Sequence, residues 1–148
     1  MGAATARVLT AAGFAVVACD DRPGTLTPEW VPGVYDRRLV DYKNLSELCP
    51  IGPRDLVVVA TAGHKSDIDV VTQAMRARPA YLGCLGSRRK TAFVRARLEQ
   101  EGFTQEQIDE LHLPIGVAIE AEDPEEIAIS IAAEMIHLRR TKLVPRKR

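Results

Sequence analysis

The chain carries no surplus of charge: 20 Lys and Arg stand against 20 Asp and Glu, a formal net charge of zero in 148 residues. A neutral overall field offers no general attraction to nucleic acid or to an anionic membrane, so neither is expected as a partner. Cysteine is scarce. Cys19, Cys49 and Cys84 are widely spaced and form no Cys-x-x-Cys pair, which argues against a disulfide framework and for reduced thiols in a cytoplasmic protein. No apolar run reaches the length of a membrane-spanning helix, and the first residues lack the charged-then-apolar profile of a signal peptide. Repeats and low-complexity tracts are absent too. What remains, at 46% hydrophobic and 27% charged, is the composition of one soluble globular domain with a core.

Apolar runs alternate with amphipathic ones. Gly2 to Ala12 predicts a helix stopped by Gly13, and Phe14-Ala15-Val16-Val17-Ala18-Cys19 a strand buried on both faces and ending in Asp20-Asp21-Arg22-Pro23. Residues 25–53 are broken by prolines, with an edge strand at 34–41 and a short helix at 44–48. Leu56-Val57-Val58-Val59-Ala60 is the clearest strand. The polar loop 61–67 follows it, then a helix with Ile68, Val71 and Met75 inward that ends before Pro79. A strand at 81–85, a helix carrying Phe93, Val94 and Leu98 up to Gly102, a short helix at 104–111 and an extended piece at 114–119 come next. Asp123-Pro124-Glu125-Glu126 then opens a helix lined by Ile127, Ile131, Met135 and Leu138. This rhythm predicts an α/β fold, a parallel sheet with helices on both faces. Residues 1–141 form the domain and 142–148 a basic tail.

The turn after the fourth apolar run concentrates positive charge. Gly86 permits a sharp bend, Ser87 can cap the next helix, and Arg88, Arg89 and Lys90 occupy its first turn. Each cation there costs on the order of 0.3–1 kcal/mol against the helix dipole unless an anion sits beside it. Free N–H groups with Arg and Lys suit a phosphate or carboxylate; the alternative is three side chains splayed into water. In parallel sheets ligands lie beyond the carboxyl ends of the strands, so the loops after Cys19, Ala60 and Leu85 should face one crevice, which favours the anion reading.

One further absence concerns the start. A dinucleotide fold opens with a strand and Gly-x-Gly-x-x-Gly, then a helix, a second strand and an acid for a ribose diol. Here Gly2 stands where the third glycine would, and Asp20 follows 18 positions later at a strand end, but the first strand and the first two glycines are missing. The alternative is an ordinary helix start at Gly2 and a turn residue at Asp20. A missing central strand would bare two sheet edges, so self-association as a homo-oligomer, a swapped strand or a truncated chain is expected.

Taken together, Asp20-Asp21-Arg22-Pro23, Thr61-x-Gly63-His64-x-x-Asp67, Tyr81-Leu82-Gly83-x-Leu85-Gly86-Ser87-Arg88-Arg89-Lys90, Leu111-His112-x-Pro114-Ile115-Gly116 and Pro124-Glu125-Glu126-Ile127-Ala128-x-Ser130-Ile131-x-Ala133-Glu134 resemble the C-terminal Rossmann-like domain of the XdhC/CoxI family. These are accessory proteins of molybdenum hydroxylases such as xanthine dehydrogenase. The resemblance spans most of the chain and implies a three-layer Rossmann-like fold without its first strand and glycine-rich loop. It implies no ordinary turnover. The family binds the molybdenum cofactor, holds it while a cysteine-desulfurase-type sulfurtransferase installs the terminal sulfur, and delivers it to the apo molybdenum hydroxylase. By that resemblance Ser87, Arg88, Arg89 and Lys90, with Gly86 at the turn, would hold a phosphate or pyrophosphate of molybdopterin. Asp20 would take a ribose diol of a dinucleotide form, with Gly2 at the old glycine position, and Thr61, Gly63, His64 and Asp67 would contact the pterin or gate the pocket. His64 could equally be a loop histidine capping the next helix, and Asp67 that helix's N-cap. Glu126 is explained by a capping box and Glu134 borders the apolar face. The competing readings are an NAD(P)- or flavin-dependent oxidoreductase, for which neither a substrate domain nor a proton donor beyond His64 is found, and a ligand-free interaction module of the same fold.

Overall fold

The computed structural model describes residues 1–143. Its elements are α1 (Gly2–Ala11), β1 (Val17–Asp20), β2 (Asp36–Leu39), α2 (Leu45–Leu48), β3 (Leu56–Val59), α3 (His64–Ala77), β4 (Tyr81–Cys84), α4 (Arg88–Gln100), α5 (Gln105–Asp109) and α6 (Pro124–Leu138), with a 3-10 turn at Pro23–Thr25 and a π-helical turn at Arg139–Leu143. Strand and helix alternate through the middle of the chain, and the fold is α/β and Rossmann-like. No helix among the described residues is long and apolar enough to cross a membrane.

Two ladders carry the strands. β3 pairs with β4 in parallel, Leu56 opposite Tyr81 and Val59 opposite Cys84. β1 pairs with β2: the Val16 carbonyl accepts from Tyr35 N–H at 2.8 Å and the Asp20 carbonyl from Val40 N–H at 3.0 Å, a parallel progression. Among the described residues each sheet has two strands. The extended piece expected at 114–119 begins earlier, because His112 bonds Leu82 and Cys84, and Ile115 N–H reaches the Cys84 carbonyl at 3.1 Å. Residues 112–115 thus lie along β4 as a short third course.

The chain forms two compact units. One comprises Met1–Ala18, Gly24–Arg37 and the residues from Gly116 on; the other comprises Cys19–Pro23 and Arg38–Ile115. In the first, α1 packs on α6. Arg139 donates to the Ala12 carbonyl at 3.2 and 3.3 Å and lays its guanidinium over Phe14, 4.1 Å from the ring centroid, so one cation holds the end of α1. Ser130 and Glu134, both on α6, receive the incoming chain. Ser130 Oγ donates to the Val117 carbonyl at 2.6 Å, and Glu134 accepts from Gly116 N–H at 2.8 Å. Gly116 sits at φ +96°, and a Cβ there would collide with Ser130 Oγ, so this join requires glycine. Glu134 therefore does more than border an apolar face: it satisfies a backbone donor. Glu126 accepts from Glu122 and Asp123 N–H at 2.9 and 3.2 Å, which is the expected capping box and holds its carboxyl below the ordinary range.

The second unit has the larger core, with Val59, Ile68, Val71, Ala74, Leu82, Cys84, Val94, Leu98 and Ile108 closed over the β3–β4 pair. Of the three apolar residues noted on α4, Phe93 is 49% exposed, and Val94 and Leu98 are buried. Lys142 and Leu143 continue the π-helical turn after α6, and 144–148 of the expected tail lie outside the described residues.

Candidate anion-binding site

All the expected site residues except Gly2 fall in the second unit. Gly2 is the first residue of α1, exposed, in the other unit. The remainder occupy the ends of β1, β3 and β4.

Arg88 opens α4 directly after the β4 loop. Ser87 is its N-cap, extended at φ −71° and ψ 167°, and its Oγ accepts from Lys90 N–H at 3.3 Å. That bond uses one of the four N–H groups that a helix start leaves unpartnered. Ser87, Arg88 and Arg89 are exposed, and neither arginine has an ion-pair partner among the described residues. Gly86 is tightly placed, since a Cβ would meet Lys90 Cδ and Leu113 Cδ1 at 3.3 Å.

Lys90 behaves differently from its two neighbours. Its side chain is only 13% exposed, and its Nζ pairs with Oδ2 of Asp67, whose side chain is fully buried. Asp67 is not the cap of α3. The helix begins at His64 with Gly63 as the extended N-cap, so Asp67 lies within the first turn, on the stripe that continues through Ile68, Val71 and Ala74. Its Oδ1 accepts from Thr61 Oγ1 at 2.6 Å and from Thr61 N–H at 3.2 Å. Thr61 Oγ1 in turn bonds the Gly63 carbonyl at 3.0 Å. A buried carboxylate thus ties the loop after β3 to the first turns of α3 and α4, and the lysine supplies its countercharge. Cys84 lies against the same group: burial, with Asp67 adding and Lys90 opposing, pushes its thiol up to about 12. It is an inert core thiol at neutral pH.

His64 is exposed at the start of α3, its ring tilted 56° against Phe93 with centroids 6.2 Å apart. Two exposed rings, one on α3 and one on α4, therefore face each other. Asp20, at the end of β1, is engaged by Arg22, which donates to it from backbone N–H at 2.9 Å, Nε at 3.0 Å and Nη2 at 3.1 Å. The same pair raises Arg22 above its ordinary value; Asp20, with Asp21, adds to the burial that pushes Tyr42 up to about 12. No group of three or more His, Cys, Asp or Glu among the described residues could hold a metal ion. Sequence reasoning did not find the Asp67–Lys90 bond, although the position of Asp67 four residues before Val71 on an apolar stripe was its visible sign.

Residues 1–135 match the model of the XdhC Rossmann domain. The chain belongs to the XdhC family. Among curated relatives, this XdhC domain is 32% identical over 128 residues to the uncharacterized protein YqeB of Escherichia coli K12, covering 86% of this chain and 23% of that one. It is 28% identical over 105 residues to the molybdenum cofactor insertion chaperone PaoD of the same organism, covering 71% and 33%. It is 31% identical over 130 residues to a probable xanthine dehydrogenase subunit of Bacillus subtilis 168, covering 86% and 37%. A crystal structure of a xanthine dehydrogenase from Bacillus halodurans superposes with a TM-score of 0.82 at 28% identity, over 98% of this chain and 41% of that one. The XdhC domain spans about a quarter to two-fifths of the length of these relatives.

Proposed function

We propose that this XdhC domain, taken as residues 1–141, is a molybdenum-cofactor-binding accessory module. It grips the cofactor's phosphate, keeps the cofactor accessible while a sulfurtransferase installs the terminal sulfur, and passes it to a xanthine-dehydrogenase-type apo-hydroxylase in the cytoplasm. The observation that carries the reading is the turn at the end of β4. Ser87 organises the start of α4, and Arg88 and Arg89 stand exposed there, with no ion-pair partner among the described residues. A similar relative is named a molybdenum cofactor insertion chaperone, which supports the choice of cofactor over other phosphate ligands.

The residues present suit a phosphate better than a dinucleotide. Asp20, the acid that a ribose diol would need, already accepts three bonds from Arg22, so a dinucleotide form or NAD(P) would have to displace that guanidinium. Thr61, Gly63 and His64 would meet the rest of the cofactor, with His64 and Phe93 as exposed rings; the Lys90–Asp67 pair links that loop to the start of α4. Self-association is supported by the sheets: residues 112–115 line the outer side of β4, but among the described residues β3 pairs with β4 alone and β1 with β2 alone, which leaves edges open for a second copy.

Isothermal titration with molybdopterin, its cytosine dinucleotide, NAD and NADP tests the reading. Molybdopterin should bind most tightly, and Arg88→Ala with Arg89→Ala should weaken it at least tenfold, because two charge-assisted contacts are lost. The unfolding midpoint should hold or rise slightly as dipole repulsion is relieved. NAD binding with no molybdopterin binding would overturn the proposal.

A further inference from the structure

We propose that Cys19 and Cys49 form an oxidation site at which hydroperoxides convert the two thiols into an intramolecular disulfide, fastening the end of β1 to the C-terminus of α2. The proposal is independent of the cofactor reading. Cys19 Sγ donates to Cys49 Sγ at 2.9 Å across 30 residues of sequence. Closing that contact to a disulfide, at about 2.0 Å, asks for roughly 0.9 Å of movement. Both residues are only partly buried, so the contact lies within reach of a small oxidant.

The surroundings distinguish the two thiols. Cys49 is the C-cap of α2. The Cys19 S–H and the Arg38 guanidinium stabilise its thiolate against opposition from burial and from Asp55, and together they lower it to about 7. Arg38 is held beside it by donating to the Leu48 carbonyl at 3.3 Å. Cys84, by contrast, is fully buried and raised to about 12. The chain therefore contains one reactive thiol, one thiol in contact with it, and one that serves as an internal control.

The chemistry balances in two steps. The Cys49 thiolate attacks the distal oxygen of the hydroperoxide; the O–O bond breaks, alkoxide or hydroxide leaves and takes up a proton, and Cys49 becomes a sulfenic acid. Cys19 sulfur then attacks Cys49 Sγ; the S–O bond breaks, and the hydroxide leaves as water with the Cys19 proton. Two thiols lose two electrons and two protons, and the hydroperoxide is reduced to water and the corresponding alcohol, or to two waters when it is hydrogen peroxide. A dithiol reductant reverses the change. Because Cys19 immediately precedes Asp20, the bond would fix the strand end that carries the Asp20–Arg22 pair.

The test treats the reduced full chain with hydrogen peroxide and maps its peptides by mass without reduction. The expected product is a Cys19–Cys49 linked peptide, two hydrogens lighter than the sum of its thiol forms, with Cys84 still open to alkylation after denaturation. At pH 7 about half of Cys49 is thiolate, roughly fiftyfold more than for a thiol at 9; the lower nucleophilicity of the weaker base returns about eightfold, leaving a net gain of about sixfold. Alkylation of Cys49 should accordingly be half-maximal near pH 7. With Cys19→Ser, Cys49 should instead accumulate sulfenic acid trapped by a dimedone-type probe. Unlinked Cys19 and Cys49 thiols after treatment, a link between two chains, or prior oxidation of Cys84 would each overturn the proposal, and the wild-type map alone can deliver any of them.

Discussion

Replacing Lys90 with methionine removes the countercharge of a fully buried carboxylate while keeping the length of the stem. Among the described residues Asp67 then retains the Thr61 N–H and O–H as its side-chain partners, and breaking a buried pair from one side costs about 3–5 kcal/mol. For 148 residues the unfolding entropy is about 0.3 kcal/mol/K, so each kcal/mol moves the midpoint by about 3 °C and the variant should melt roughly 10–15 °C lower. The paired substitution Lys90→Met with Asp67→Asn should recover most of that loss, because an asparagine oxygen can still accept from Thr61 and no charge remains buried. Thermal unfolding followed by circular dichroism at pH 7 reads all three proteins. A Lys90→Met midpoint within about 2 °C of the parent, or a double variant as unstable as the single one, would refute the claim that this pair joins the two loops.

Gly116→Ala forces a side chain into φ +96° and onto Ser130 Oγ; it should cost at least about 2 kcal/mol in a urea melt, through strain and a displaced hydrogen bond. Glu126 has a lowered carboxyl because it accepts from Glu122 and Asp123. Its contribution to α6 is therefore present above the ordinary carboxylate value and is lost as pH falls through the lower folded value, a slope that Glu126→Gln should remove from the acid limb of a stability-versus-pH curve. If the disulfide of Cys19 and Cys49 forms without distortion, closing a 30-residue loop should raise stability by up to about 3.6 kcal/mol, visible as a midpoint that falls again on reduction.

The elements were legible where short-range physics decides them. Leu56–Val59 is a run of β-favouring residues that becomes β3, and Asp123-Pro124 with Glu126 sets the start of α6 to the residue. The boundary at the loop after β3 was not legible. His64 to Asp67 are polar and suggest loop, but Gly63 caps the helix, which begins four residues before the apolar stripe opens at Ile68. The exposure of Phe93 was not legible either: an aromatic next to Val94 suggests core, whereas the helix face turns it toward His64. Contacts distant in sequence were beyond reach. Asp67 finds Lys90 across 23 positions and Cys19 finds Cys49 across the irregular stretch between β1 and β3, where no periodicity registers one segment against another. Gly116 against Ser130 and Glu134 belongs to the same class, since its need for glycine arises from a helix met in space.

The inward turn of Lys90 also sets the valence of the proposed anion site. Three bases follow Ser87 in sequence, but one of the three positive charges is cancelled inside the protein by Asp67. The surface at the head of α4 therefore presents the two charges of Arg88 and Arg89. A phosphate monoester carries about −1.5 to −2 at neutral pH, so the proposed ligand would match those two charges. A pyrophosphate-linked ligand with a second phosphate would have to find its countercharge elsewhere.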